Sequence, residues 1–195
     1  MSGVAEQLEI EFKNMLTKEE YQKLLMNFDI ASTQIKKQVN HYFDTADFFL
    51  KNAQSALRLR EKGANYELTL KQPAQIGLLE TNQMIGKMEA LELLEHGKFP
   101  DGPVKMKLKS IGVSIELLEF FGSLTTNRAE IEYKQGLLVL DFSTYLGKED
   151  YEIEYEVTEV EIGQRVFIEL LEQMTIPIRK TENKVQRFYQ QKYHQ

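Results

Sequence analysis

The amino-acid sequence predicts an α+β protein: a large antiparallel sheet with helices packed outside it. Three observations carry that reading. Five segments alternate apolar and charged residues with a period of two: Leu8 to Lys13, Ala56 to Glu61, Tyr66 to Lys71, Arg128 to Tyr133 and Tyr151 to Val157. Strict alternation of this kind, with β-branched or aromatic partners, marks half-buried strands. Glycine-bearing loops of hairpin length join several of them, which implies an antiparallel meander instead of parallel crossovers. Between the strands, apolar residues recur at helical spacing.

Taken in order, Leu8-Glu9-Ile10-Glu11-Phe12-Lys13 is the first strand. Thr17-x-x-Glu20 is a capping box, and Tyr21, Leu24, Leu25 and Phe28 after it fall on one helical face. Ile35 to Phe43 reads as a strand. Lys62-Gly63-Ala64-Asn65 turns the strand at Ala56 back into the strand at Tyr66, with glycine where a positive φ costs little. Met84, Met88, Leu91 and Glu95 predict a helix running to His96, with Gly97 as its stop and the two methionines packed in a helix interface. Phe99-Pro100-Asp101-Gly102-Pro103 is a strong breaker near the middle of the chain, and no repeat relates the halves on either side. Lys105, Lys107 and Lys109 read as a small solvated basic stripe. Lys134-Gln135-Gly136 joins the strand ending at Tyr133 to a strand from Leu137 to Phe142, and the loop from Tyr145 to Asp150 leads into the last strand. Ile162, Val166, Leu170 and Met174 predict a helix ended before Pro177, and a shorter helix is expected from about Thr181 to Tyr193.

Composition narrows the function classes. The 195 residues fit one domain, 1–195, and carry 24 Lys and Arg against 30 Asp and Glu, a net charge of −6. An acidic balance argues against bulk attraction to nucleic acid or anionic membranes. With no cysteine, thiolate catalysis, cysteine-based zinc sites and iron–sulfur clusters are excluded, and a reducing compartment fits. The longest apolar run, Leu137 to Leu140, falls far short of the roughly 20 residues of a membrane span. The start of the chain shows no apolar secretory core. These features lead to the expectation of a cytoplasmic protein. His41, His96 and His194 show no ligand spacing and read as structural or exposed. Gly97-x-x-x-x-Gly102 is followed by Pro103-Val104, which rules out a P-loop.

The charged faces of the strands are the chemical signal. One face carries Glu9, Glu11 and Lys13; others carry Arg58 and Arg60; Glu67 and Lys71; Arg128, Glu130 and Glu132; and Glu152, Glu154 and Glu156. Asp141 lies on the face opposite Leu138, Leu140 and Phe142. Any one such stripe fits a half-solvated antiparallel sheet. The set fits that reading less well. Carboxylates at alternate positions of one strand are roughly 7 Å apart, within a Debye length, and in an enclosed space such a row calls for a cation. Apolar residues facing outer helices suggest a barrel with a polar interior. Carboxylates hold hard divalent cations, and Arg and Lys hold phosphate oxygens, so the ligand this face suits is a polyphosphate chelating a metal.

The ordered set resembles the CYTH family. Its residues are Glu9-Ile-Glu11-Phe-Lys13, Tyr42-Phe43-Asp44-Thr45, Arg58-x-Arg60, Glu67-Leu-Thr-Leu-Lys71, Arg128, Asp141, Glu152-x-Glu154-x-Glu156 and Lys180. The family includes thiamine triphosphatases, inorganic triphosphatases, RNA triphosphatases and class IV adenylate cyclases. The resemblance implies a closed, antiparallel, eight-stranded triphosphate tunnel with a divalent metal, Mg²⁺ or Mn²⁺. It implies metal ligation by Glu9 and Glu11 with Asp141 and carboxylates among Glu152, Glu154 and Glu156. It implies a phosphate path lined by Lys13, Arg58, Arg60, Lys71, Arg128 and Lys180. The family often has a Ser-Lys pair where this chain has Arg179-Lys180, and Lys184 is a rival for that role. By likeness to thiamine triphosphatases, Tyr42 and Lys71 assist the attacking water, with a late glutamate as the alternative base.

The expected function is therefore a metal-dependent triphosphatase acting on a small triphosphate, inorganic tripolyphosphate before others. A class IV adenylate cyclase or a thiamine triphosphatase is the alternative, and a non-catalytic polyphosphate- or nucleotide-binding module the further one. No nucleic-acid or membrane partner is expected, and the protein is expected to be a monomer or homodimer.

Overall fold

The structure, a computed structural model, describes residues 5–193; His194 lies outside them. Among these residues are eight strands and six α-helices. The strands are β1 (Ala5–Leu16), β2 (Lys36–Thr45), β3 (Ala56–Lys62), β4 (Asn65–Pro73), β5 (Leu78–Ile85), β6 (Leu118–Tyr133), β7 (Gly136–Tyr145) and β8 (Lys148–Val157). The helices are α1 (Lys18–Asn27), α2 (Phe49–Asn52), α3 (Lys87–His96), α4 (Pro103–Ser110), α5 (Val160–Gln173) and α6 (Lys184–Tyr193). Hydrogen-bonded neighbours run β1-β5-β4-β3-β2-β6-β7-β8 and close into an antiparallel barrel, the architecture that the alternation and the hairpin turns predict.

Two compact units divide the chain, one built on Gln38–Leu124 and the start of β1, the other on Glu9–Lys37 and the chain from Thr125 onward. In the first, β2 through β5 form a meander. Leu57 lies opposite Leu70 and Leu59 opposite Leu68. These leucines are almost wholly buried with Phe43 against Leu93 of α3 and Val104 and Leu108 of α4. In the second, Ala129, Leu138, Leu140, Ile153 and Tyr155 face Tyr21 and Leu24 of α1 and Val166, Phe167, Leu170 and Leu171 of α5. Each unit thus buries the apolar side of its strands under helices, and the alternating charged residues lie on the opposite side of the strands.

Local sequence explains the boundaries. The hydroxyl of Thr17 accepts from the amide of Glu20, whose carboxylate accepts from the amide of Thr17, closing the expected capping box of α1. The Asp44 carboxylate accepts from the amides of Thr45, Leu50 and Lys51, which ties the end of β2 to α2. Gly97 ends α3 with φ of 64°, a conformation that suits glycine.

Four expectations are corrected. The helix expected from Met84 starts only at Lys87, because Leu78–Ile85 pairs along β4 as β5. That strand mixes polar and apolar residues on both faces, so period-two alternation is blurred. Met84 and Met88 are consequently exposed and fill no helix interface. Lys105, Lys107 and Lys109 stand on α4, where residues two apart point in different directions, so they form no single stripe; Lys105 pairs with Asp101 and Lys107 with Glu6. The C-terminal helix begins at Lys184, not at Thr181. Of the histidines, His96 is exposed, while His41 is half-buried with Nδ1 2.7 Å from the hydroxyl of Ser123.

Leu140 is fully buried beneath the helices of the second unit. Leu140→Ala should lower unfolding stability by about 2–5 kcal/mol, read from the urea midpoint at unchanged m-value.

Candidate active site

Register assembles the charged face of the second unit. Arg128 lies opposite Asp141, and Asp141 opposite Glu152. Lys13 lies opposite Glu154, and Glu11 opposite Glu156. Residues far apart in sequence therefore share adjacent rows on four neighbouring strands.

The guanidinium of Arg128 forks onto Asp141, with Nε 2.8 Å from Oδ1 and Nη2 2.6 Å from Oδ2, and Nη2 also reaches Glu154 Oε2 at 2.8 Å. Lys184 of α6 enters the same cluster: its Nζ is 2.8 Å from Asp141, 2.7 Å from Glu152 and 2.5 Å from Glu154. Burial would push the Lys184 ammonium down, but the three carboxylates around it hold its pKa well above the ordinary lysine value. Burial would likewise raise Asp141 and Glu154, yet Arg128 and Lys184 keep both below the usual carboxylate range. Lys13 donates to Glu11 and, at 2.8 Å, to Asn183 Oδ1. Although burial opposes it, its charged form is favoured by Glu11, Glu154 and Glu152.

One carboxylate is in the reverse situation. Glu156 is pushed up to about 7, first by burial and then by the neighbouring charges of Glu9, Glu154 and Glu11, with Arg128 only partly opposing them. Like charges directly opposed across a ladder are destabilising, and Glu11 and Glu156 are such a pair. An all-oxygen donor set whose own charges repel suits a hard divalent cation. Glu11 and Glu156 are such donors, and Glu9 shares the strand face of Glu11, although the three are not drawn together into a metal-holding group in this structure.

The first unit supplies a second charged face. Tyr42 lies opposite Arg58 and Asn40 opposite Arg60; Arg58 lies opposite Thr69 and Arg60 opposite Glu67; Lys71 lies opposite Glu80. Lys71 Nζ is 2.5 Å from Glu80 Oε1. Burial would raise the Glu80 carboxyl, but Lys71, with Arg58 and Asn82, holds it at about 2. The Tyr42 ring stacks on Phe121 with centroids 5.9 Å apart, and Arg60 Nε donates to Asn40 at 3.3 Å. Along the row Arg58–Thr69–Asn82, Arg58 Nε, Thr69 Oγ1 and Asn82 Oδ1 are buried with no hydrogen-bond partner. Unsatisfied polar atoms in one row are what a polar ligand would engage.

The expected residues thus divide. Lys13 and Arg128 join Glu9, Glu11, Asp141, Glu152, Glu154 and Glu156 on one charged face, and Tyr42, Arg58, Arg60 and Lys71 share the other. Among the described residues, no three His, Asp or Glu side chains form a group able to hold a metal ion; Lys184 Nζ lies between Asp141, Glu152 and Glu154. Lys180 is exposed, and the cation that α6 delivers is Lys184. Glu130 and Glu132 are exposed. Three participants escaped sequence reading. Glu80 sits on the strand whose alternation is blurred. Asn183 precedes, and Arg187 lies within, a helix whose start is legible only in three dimensions; Arg187 reaches Asp150 and Glu152 at 2.9 and 2.7 Å.

The CYTH domain model matches residues 7–189. The chain is 46% identical over 189 residues to YjbK of Bacillus subtilis (strain 168), named as a candidate triphosphatase, with 97% of this chain and 98% of that protein covered. The crystal structure of a Bacillus halodurans protein described as a candidate adenylate cyclase is 48% identical and superposes with a TM-score of 0.92 over 94% of this chain and 98% of its own. The candidate adenylyl cyclase HpAC1 of Hippeastrum, described as revealing a dominant triphosphatase activity, is 25% identical with a TM-score of 0.79, covering 93% of this chain and 95% of that one.

The raised pKa of Glu156 has a definite sign. Between its ordinary value and about 7 the folded state binds more protons than the unfolded state. Its contribution to stability is therefore full below that window and is lost as pH rises through about 7. In chelator at about pH 8, Glu156→Gln should melt at a higher temperature than the wild type, and its Tm should fall less between about pH 5 and 8. Added Mg²⁺ should raise the wild-type Tm more than that of the variant. Identical Tm–pH curves would contradict this placement of Glu156.

Proposed function

The chain belongs to the CYTH family, and from that premise we propose that it is a divalent-metal-dependent triphosphatase, acting as one domain, that releases the terminal phosphate of a small triphosphate, inorganic tripolyphosphate first. The observation that carries this reading is a buried strand face bearing both signs of charge, in which Lys13, Arg128 and Lys184 stand among carboxylates. Buried ammonium and guanidinium groups beside an acidic set suit a polyanion that arrives with its own cation. The triphosphatase descriptions of YjbK and HpAC1 support the hydrolase reading.

In this proposal Arg58, Arg60 and Lys71 in the first unit, and Lys13, Arg128 and Lys184 in the second, bind phosphate oxygens. Glu9, Glu11 and Glu156 hold Mg²⁺ or Mn²⁺. Asp141, Glu152 and Glu154 hold the cationic side chains in place. The bound metal supplies charge neutralisation and lowers the pKa of coordinated water. Phosphoryl transfer spreads charge over the terminal oxygens, so fixed guanidinium and ammonium groups stabilise the transition state by position and charge. Water oxygen forms the new bond to the terminal phosphorus as the bond to the bridging oxygen breaks. Lys71 Nζ, anchored by Glu80, and Tyr42 Oη, set by its stack on Phe121, orient that water. A late glutamate would be the alternative group to take its proton. The substrate side is a small molecule, with the protein acting in the cytoplasm as a monomer or homodimer. Among the described residues, no helix is long and apolar enough to cross a membrane.

The cyclase description of the Bacillus halodurans neighbour favours one second reading, in which the ribose hydroxyl of ATP replaces water and pyrophosphate leaves. Incubation with tripolyphosphate, thiamine triphosphate and ATP, with Mg²⁺, Mn²⁺ or chelator, separates the readings. Metal-dependent orthophosphate release, fastest from tripolyphosphate, is expected; cyclic AMP without orthophosphate would sink the hydrolase. Glu9→Gln combined with Glu11→Gln should abolish metal-dependent turnover with the fold retained by circular dichroism. Arg58→Ala should raise KM and lower kcat/KM by about 10²-fold; a change in Tm alone would mark a structural ion pair.

A further inference from the structure

Arg187 is a buried cation that the proposed chemistry does not use. Its side chain is 8% exposed and every arm of the guanidinium is engaged. Nε donates to Asp150 Oδ2 at 2.9 Å, Nη2 to Glu152 Oε2 at 2.7 Å, and Nη1 to the carbonyl oxygen of Glu182. Asp150 is oriented in turn, since the Tyr145 hydroxyl donates to the same Oδ2. Both tyrosine and arginine are therefore committed to one acceptor at the start of β8.

Lys184 stands three residues earlier on α6 and so projects from the same side of the helix. The two side chains converge on a single atom: Glu152 Oε2 is 2.7 Å from Lys184 Nζ and 2.7 Å from Arg187 Nη2. The other oxygen, Oε1, is buried with no hydrogen-bond partner. Glu152 is thus oriented by Arg187, and Lys184 rests on Glu152. A planar fork can bridge Asp150 and Glu152 while closing onto the carbonyl before its own helix; an ammonium cannot cover those three directions at once.

We infer that Arg187 is a positioning residue: it docks α6 against β8 and orients Glu152 so that Lys184 is presented between Asp141, Glu152 and Glu154. It touches no substrate and acts through Lys184. This inference rests on the proposed role of Lys184 in binding phosphate, but the docking itself is independent of it.

The test uses the full-length protein and four variants: Lys184→Ala, Arg187→Gln, Arg187→Lys, and the double variant Lys184→Ala/Arg187→Gln. Tripolyphosphate hydrolysis is measured with Mg²⁺ at a temperature well below each Tm, and amide hydrogen exchange is followed across α6. Arg187→Gln should lower kcat/KM by about 10- to 100-fold, the usual cost of losing an orienting partner. Its split between KM and kcat should match that of Lys184→Ala. Added to Lys184→Ala, it should change the rate by no more than about twofold, because the two act as a unit. Arg187→Lys keeps the charge and loses the fork; it should fold and still show most of the loss. Exchange in the first turn of α6 should quicken in both Arg187 variants. Additive losses in the double variant, or full activity in Arg187→Lys with α6 exchange unchanged, would overturn the assignment. Should the wild type release no phosphate from any triphosphate, the functional reading fails while the exchange measurement still decides whether Arg187 docks the helix: unchanged protection defeats it, faster exchange upholds it.

Discussion

The structure of the second unit depends on one electrostatic constraint. Asp141, Glu152 and Glu154 are buried on adjacent strands, where an unpaired carboxylate is far costlier than in water. Antiparallel register brings them together, so no single side chain can move away to relieve the repulsion. Arg128 and Lys184 neutralise them, with Lys13 one row further on. The C-terminal helix is part of this balance. Without Lys184 and Arg187, three carboxylates would be left buried with far less counter-charge, so α6 is as much a component of the charged face as the strands are.

That constraint also explains why each unit places its apolar residues on the helix side. A strand has only two faces. If one is given to Arg, Lys, Asp and Glu, the hydrophobic contribution to folding must come from the other. The leucines of β3 and β4 accordingly pack under α3 and α4, and those of β7 pack under α1 and α5. The pleat separates packing from charge: Leu68 and Leu140 lie in the apolar cores, whereas Arg58 and Glu156 lie on the charged faces.

Charge balance differs among the acidic residues, and the difference sorts their roles. Glu80, Asp141 and Glu154 are held ionised by adjacent cations, whereas Glu156 is held near neutrality by burial and by like charges. Carboxylates saturated by lysine and arginine act as anchors. A carboxylate that repels its neighbours is stabilised by an incoming divalent ion. Solved structures described as a candidate adenylate cyclase and as a candidate adenylyl cyclase with dominant triphosphatase activity superpose on this fold.

Much of this was legible in the amino-acid order. Alternation at Glu9-x-Glu11-x-Lys13, Arg58-x-Arg60 and Glu152-x-Glu154-x-Glu156 determined which side chains share a face, because the strand period is a property of the backbone alone. The capping box at Thr17 and the stop at Gly97 were readable for the same local reason. What tertiary structure alone decided was pairing across strands and helices. Glu80 was hidden in a strand without clean alternation. The choice of Lys184 over Lys180 depended on where α6 starts and which face it docks. The difference in charge state between Glu154, held ionised, and Glu156, pushed up to about 7, depended on which cations lie beside each one. Local spacing sets direction, but distance between charges far apart in sequence is set by register and helix docking, and it is distance that determines their chemistry.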